Sequence, residues 1–221
     1  MKFTTCLKSL MALFISIFSI ISCLGQNAEY LQAENSRLIS EQNKQELANI
    51  MQAYKKVLTN EIKYFDTRAR ESIFFRDYCD NNNITATEIR FTVIDLDGNS
   101  VPEIVLEHNP GVLIVLRFEN GKIYGFLFDY RGMNGLKKDG SFNWSNSAFN
   151  SGIGRRTFSG TNTNIVNLAE YSSGPDDNNV IYYINKIKVT EREFSTFQAA
   201  QDKKEDVEWY MFTRENVNNL K

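Results

Sequence analysis

Apolar residues recur at three- and four-residue steps through Leu47, Ile50, Met51, Tyr54, Val57, Leu58, Ile62 and Phe65, the period of an amphipathic helix. The spacing predicts a long helix from Glu41, its Met and aromatic positions packed on a sheet rather than held out as a binding stripe. A second helical stretch, Arg68 to Tyr78, runs into Asp80-Asn81-Asn82-Asn83, a tract that favours turns and helix ends.

From there the period falls to two. Ile89, Phe91 and Val93 alternate with Arg90 and Thr92, which predicts a strand. Glu103 to Glu107 and Val112 to Phe118 read as two more, joined by a turn at His108-Asn109-Pro110-Gly111. Asn120-Gly121 is a strong hairpin signal and leads into Lys122 to Tyr130. Short strands are expected around 141–144, 157–158 and 165–169, separated by Asp-Gly and Ser-Gly pairs. After the polar loop 172–179 come a strand at Val180 to Asn185 and a helix capped by Thr190, with Glu193 completing the capping box. That helix should end near Asp202. A last strand is expected over Val207 to Met211, and Thr213 is placed to cap a short terminal helix.

No helical crossover of 10–15 residues separates the strands, so an antiparallel meander is expected instead of a parallel sheet. The fold class that follows is α+β: N-terminal amphipathic helices on an antiparallel β-sheet meander, with short C-terminal helices.

The N-terminus has a different character. Lys2 and Lys8 precede an apolar run of 12 residues, Leu10 to Ile21, too short to span a bilayer, which needs ~20, but suited to an export leader. Ile20-Ile21-Ser22-Cys23 resembles a bacterial lipobox, in which the cysteine is acylated and anchors the mature chain. Cleavage after Gly25, with Cys23 and Gly25 as the small residues, is the alternative. The expected organisation is a leader over 1–25, a polar tether over 26–40 and one α+β domain over 41–221.

Cys6 lies in the leader and Cys23 is lipidated or removed, which leaves Cys79 as the single thiol of the domain and allows no internal disulfide. It is expected to be a core residue. Without Lys2 and Lys8 the 25 basic residues fall to 23 against 27 acidic, a net charge of −4. An acidic balance argues against nucleic acid as a partner.

One segment is dense in candidate chemistry. Asp95-Leu96-Asp97-Gly98-Asn99-Ser100-Val101-Pro102-Glu103 sets side-chain oxygens of Asp95, Asp97, Asn99 and Glu103 at loop positions 1, 3, 5 and 9, with the carbonyl of Val101 at position 7. That is the spacing with which a tight loop wraps a calcium ion in oxygen ligands. A bare Asp-Gly hairpin turn is the competing reading. Four such groups converging without a cation would repel one another, which favours the metal.

The loop resembles the EF-hand-like loops of dockerins and integrin-type repeats. Asn99 stands for the third Asp, Ser100 for the sharp-turn Gly, and Leu106 for the bidentate Glu at position 12. These departures imply a structural Ca²⁺ site in the weak range of ~10⁻⁴–10⁻³ M. Read with Pro102-Glu103-Ile104, Ile123-Tyr124-Gly125-Phe126, Tyr130-Arg131-Gly132, Asp139-Gly140-Ser141-Phe142, Trp144-Ser145, Trp209-Tyr210, Phe212-Thr213 and Glu215-Asn216, the chain resembles uncharacterised secreted lipoproteins of low-GC bacteria. That resemblance spans most of 45–221 and implies a compartment and a metal loop, not a reaction.

Catalytic motifs are missing from the sequence. His108 is the only histidine, which excludes a multi-histidine zinc site, and its place in a predicted turn suits a solvated side chain. No nucleophile elbow, Walker loop or dinucleotide fingerprint occurs. Asp129, Asp139, Glu170, Asp176 and Asp177 offer carboxylates for a glycan-active enzyme, but such mechanisms need two of them at ~5–9 Å. Tyr124, Phe126, Phe128 and Tyr130 fall on one face of a predicted strand. They form either a core row or a platform for sugars or a protein, and the core reading is preferred.

The function expected from sequence is therefore that of an exported, membrane-anchored surface lipoprotein with a structural calcium loop. It would act as a binding module for a protein or glycan at the cell surface, and not as an enzyme. An immunity or inhibitor protein against an extracytoplasmic toxin or hydrolase is the alternative within the binding class, and a carboxylate-based glycan-active enzyme the alternative outside it.

Overall fold

Helical residues 50–58 end where Asn60 turns left-handed, at φ 61°, the conformation that commonly closes a helix. In the computed structural model, which describes residues 32, 34–109, 111–147, 149–173 and 180–220, helix α1 covers 34–58. The leader, Cys23 and the first part of the tether lie outside the described residues. The chain divides into two units, 1–49 and 50–221. In the first, helical positions 35–49 are exposed, Leu47 among them. In the second, Ile50, Met51, Tyr54, Val57 and Leu58 are buried. The expected stripe thus becomes a buried face only from Ile50. The helix also stops short of Ile62 and Phe65, because Asn60 breaks it and Phe65 belongs to a strand.

That strand, β1 (Tyr64–Asp66), pairs with β2 (Glu71–Ile73) in a hairpin. The hairpin occupies part of the stretch expected as the second helix, which is confined to α2 (Phe75–Asn81). Then follow β3 (Arg90–Ile94), β4 (Glu103–Asn109), β5 (Val112–Glu119) and β6 (Lys122–Phe128). Consecutive strands pair antiparallel. β1 joins this sheet parallel to β6, a pairing that local alternation does not encode.

A second sheet is built from β7 (Phe142–Ser147), β8 (Asn150–Ser159), β9 (Asn162–Ser173), β10 (Val180–Ile184) and β11 (Ile187–Val189). Its strands are longer than the sequence suggested around 157–158 and 165–169, because β8 and β9 are polar or glycine over much of their length and carry neither a strict alternation nor a long apolar run. Helix α3 (Glu191–Asp202) has the expected capping box between Thr190 and Glu193. The last strand shrinks to β12 (Tyr210–Met211), and Thr213 caps α4 (Arg214–Asn218) by accepting from the Asn216 N–H. The strand orders are β12-β3-β4-β5-β6-β1-β2 and β11-β10-β9-β8-β7. The fold is α+β, with two meanders.

The first sheet is covered on both faces. Ile104, Leu106, Ile114, Leu116 and Ile123 pack with the α1 residues, Phe75 and Tyr78. The intervening Val105, Leu113, Val115, Phe126 and Phe128 pack with Phe142, Trp144 and Phe158 of the second sheet. The apolar run of β5 from Val112 to Leu116 has this cause, since a strand buried on both sides loses its polar alternation. Phe126 and Phe128 are buried and Tyr124 packs against them, so that part of the aromatic row is core. Tyr130 lies beyond the strand and is exposed. Among the described residues no helix is long and apolar enough to cross a membrane.

Candidate metal centre

Asp95 follows the last residue of β3 and Glu103 opens β4, where it pairs with Ile94. The chain between them must reverse direction while remaining one strand-width across. Gly98 and Ser100 accomplish this with φ of 78° and 69°. Glycine takes such angles freely, whereas for serine they cost roughly 1–2 kcal/mol.

Side-chain oxygens then organise the loop backbone. Asp95 Oδ1 accepts the N–H groups of Gly98 (2.8 Å) and Asn99 (3.1 Å), and its Oδ2 accepts that of Ser100 (2.8 Å). Asp97 Oδ1 accepts from Asn99 N–H at 3.2 Å, and Asn99 Oδ1 from Val101 N–H at 2.6 Å. Short polar side chains bonding forward to the backbone are what hold such a turn.

Glu103 is fully buried. Its Oε2 accepts the Leu96 N–H at 2.9 Å, and Oε1 meets no hydrogen-bond donor. Burial pushes this carboxyl up to about 8 against the pull of the Leu96 N–H, with Asp97 adding to the rise and Arg117 opposing it. Desolvation disfavours the charged form. Oxygens of Asp95, Asp97 and Glu103 all lie within 4.8 Å of one another, so this triad could hold a metal ion.

Sequence reasoning missed Arg117. Its guanidinium donates to Asp97 Oδ2 at 2.8 Å, lies 3.7 Å from Glu119 Oε1 and covers the Phe158 ring at 5.3 Å. The signal was present: a charge interrupting the apolar run of β5. Tyr54 of α1 was also missed as part of the site. Its buried hydroxyl donates to Pro102 O (3.1 Å) and accepts the Phe118 N–H (2.7 Å), and so tethers the loop exit to the helix. Burial, with Glu103 nearby, raises this phenol above its ordinary value.

Of the five expected ligands, three carboxylates come together. Asn99 and Val101 lie in the same loop, but the Asn99 carbonyl is engaged by Val101, whose side chain packs on the core. The donor set is all oxygen. Three carboxylates beside one guanidinium leave two negative charges when ionised, matching a divalent cation. Hard oxygen ligands of this kind suit calcium or magnesium.

The other candidate groups fall elsewhere. His108 is within β4, half-buried, with its ring nitrogen 3.0 Å from Tyr78 Oη. The turn placement expected from sequence is therefore corrected: the strand runs on to Asn109. Cys79 is partly buried against the core, and burial pushes its thiol up to about 11, which makes it a poor nucleophile. Asp129 pairs with Arg68, Asp139 with Lys204 and Arg155, and Glu170 accepts from Asn167. Asp176 and Asp177 are outside the described residues.

No protein-family model, curated protein or solved structure matches this chain.

Proposed function

We propose that this is an exported protein, anchored through an acylated Cys23, whose folded domain carries a structural calcium ion in the Asp95–Glu103 loop and serves as an interaction module at the cell surface. The observation that carries the metal reading is Glu103: a fully buried carboxylate with one oxygen unmet, close to Asp95 and Asp97. A buried polar atom left without a partner is costly. A cation shared by Asp95, Asp97 and Glu103 would meet that oxygen and offset the like charges around it. Asn99 and the Val101 carbonyl would complete the oxygen shell after the Asn99 amide releases its bond to Val101.

The export and lipid parts of this reading rest on the Lys2, Lys8 and Leu10–Ile21 pattern with the Ser22-Cys23 lipobox. The interaction role rests on the resemblance to secreted lipoproteins and on the want of a catalytic motif in the sequence.

Thermal unfolding of the chain from Gln26 onward, in millimolar calcium, in excess magnesium and in chelator, tests the metal. A ligand bound only by the folded state raises the midpoint. A rise specific to calcium that Asp95→Ala abolishes is the expected result. Equal midpoints in all three conditions would reduce the loop to a turn.

A further inference from the structure

The outer edge of β3 is only partly covered. β12 pairs with it at Tyr210–Phe91 and Met211–Arg90, and Phe212 N–H donates to Ile89 O at 2.9 Å. In an antiparallel ladder alternate residues direct both backbone groups to the same side. Ile89 and Phe91 therefore face β12, and Val93 faces the same way.

Stepping the register two residues on, the residue that would meet Val93 is Glu208. It does not, because the chain before β12 has moved to another partner. Val207 N–H donates to Leu136 O at 3.3 Å, Lys138 N–H donates to Glu205 O at 2.9 Å, and Lys137 and Asp206 form a bridge. Lys137, buried, is held there by Asp206 and by the carbonyls of Asp202 and Lys204. Among the described residues nothing pairs with the outward N–H and C=O of Val93.

Between the two diverging segments lies a cleft of about 650 Å³, within the ~300–1,000 Å³ of ordinary ligand sites. Its floor is apolar, from Phe91, Val93, Val207 and Leu220, and its banks carry Asp95, Lys138, Glu208, Asn216 and Asn219. Tyr210 and Met211, which continue the same lane, are 41% and 50% exposed.

We propose that this cleft binds an extended polypeptide, which adds as a strand to the outer edge of β3 at Val93 and seats an apolar side chain on the floor beneath. An unpaired N–H and C=O on one strand residue are what a single residue of a second strand satisfies, and apolar pockets for alternate side chains give such additions their selectivity. A glycan fits less well: the banks offer side-chain donors in Lys138, Asn216 and Asn219, but it would also need stacking faces, and Tyr210 is the one exposed ring of the lining. The proposal rests on the reading of this protein as an interaction module and not on the calcium loop, although Asp95 borders both.

The test is selection of displayed random heptapeptides on the protein purified in its exported form, followed by titration of the enriched peptides. Two changes probe the geometry. Val93→Pro removes the outward N–H while sparing the β4 ladder, a position where proline is tolerated in edge strands. N-methylation of successive peptide amides removes the matching donors without touching the protein. The expected result is binding that weakens about tenfold or more, equivalent to ~1.4 kcal/mol, with Val93→Pro and with methylation at one peptide position only, the amide that meets the Val93 carbonyl.

Failure to enrich any peptide, binding indifferent to both changes, or selective capture of a glycan from an array would overturn the proposal. Each titration is repeated in chelator. A calcium-dependent midpoint without peptide binding would remove the docking site alone, and peptide binding by a protein indifferent to calcium would remove the metal alone.

Discussion

The guanidinium of Arg117 lies 2.8 Å from the Asp97 carboxylate, and each side chain is only 8% exposed. A pair so far from water offsets two desolvation costs with one attraction, and removing one member leaves the other charged and buried. Breaking such a pair costs about 3–5 kcal/mol. Arg117→Leu should therefore destabilise the protein by about that amount in chelator, measured by denaturant unfolding. Calcium should recover part of the loss, because the ion replaces the missing positive charge beside Asp97. Arg117→Leu combined with Asp97→Asn should be less destabilised in chelator than Arg117→Leu alone.

Glu103 separates two roles that usually coincide. Its Oε2 satisfies the Leu96 N–H, while its carboxyl stands among the oxygens of Asp95 and Asp97, where a cation would hold it ionised. Glu103→Gln keeps an acceptor for Leu96 and removes the carboxylate that would bind the cation, so the midpoint in chelator should stay level or rise, and the calcium increment should vanish. Glu103→Ala loses both, and the unpaired N–H should cost about 1–3 kcal/mol. Calorimetry of the two variants with and without calcium checks the contrast. A loss of equal size in Gln and Ala would assign Glu103 no more than a packing role.

Ser100 holds φ at 69° at the loop position where glycine is usual. Ser100→Gly relieves a left-handed serine at some cost in chain entropy, and should stabilise by about 0.5–1 kcal/mol. Gly98→Ala is the counterpart. A Cβ there meets nothing within 4 Å, yet φ is 78°, so a loss of about 1–2 kcal/mol would come from backbone strain alone. Urea midpoints of both variants, in calcium and in chelator, give the two signs directly.

The parts of this molecule that sequence made legible share one trait: their cause is local. The alternation of β3, the apolar runs of β4 to β6, the Asn120-Gly121 turn, the Thr190–Glu193 cap and the phase of Asp95, Asp97 and Glu103 are each contained within a dozen residues. What was missed depends on distant partners. Tyr64 to Asp66 became a strand because β6 offered an edge, not because those three residues demanded it. Arg117 gains its role only where the sheet brings it to Asp97, and Tyr54 reads as one more core aromatic until its hydroxyl is found between Pro102 and Phe118. Helix period alone ran α1 past Asn60, a single residue whose left-handed backbone overrides the pattern.

Asp139 gives the domain a pH dependence with a definite sign. Burial pushes its carboxyl up, but the Lys204 ammonium (2.8 Å) and the hydroxyl and N–H of Ser141 outweigh that and hold it well below its ordinary value of 3.8. Arg155 adds a further contact at 3.1 Å. Ser141 is fully buried and also accepts from Gln201 at 2.6 Å, so the turn links α3 to the start of β7. A carboxyl depressed in the folded state contributes stability that is complete above its unfolded value and is lost as pH falls through the folded one. The contribution should be intact from pH 5 upward and begin to fall below about pH 4. Asp139→Asn lacks that titration. Its midpoint should lie below the parent's at neutral pH, and the gap should narrow steadily as both are unfolded from pH 5 down to about pH 2. A gap that stayed constant over that range would show that Asp139 acts through its hydrogen bonds and not through its charge.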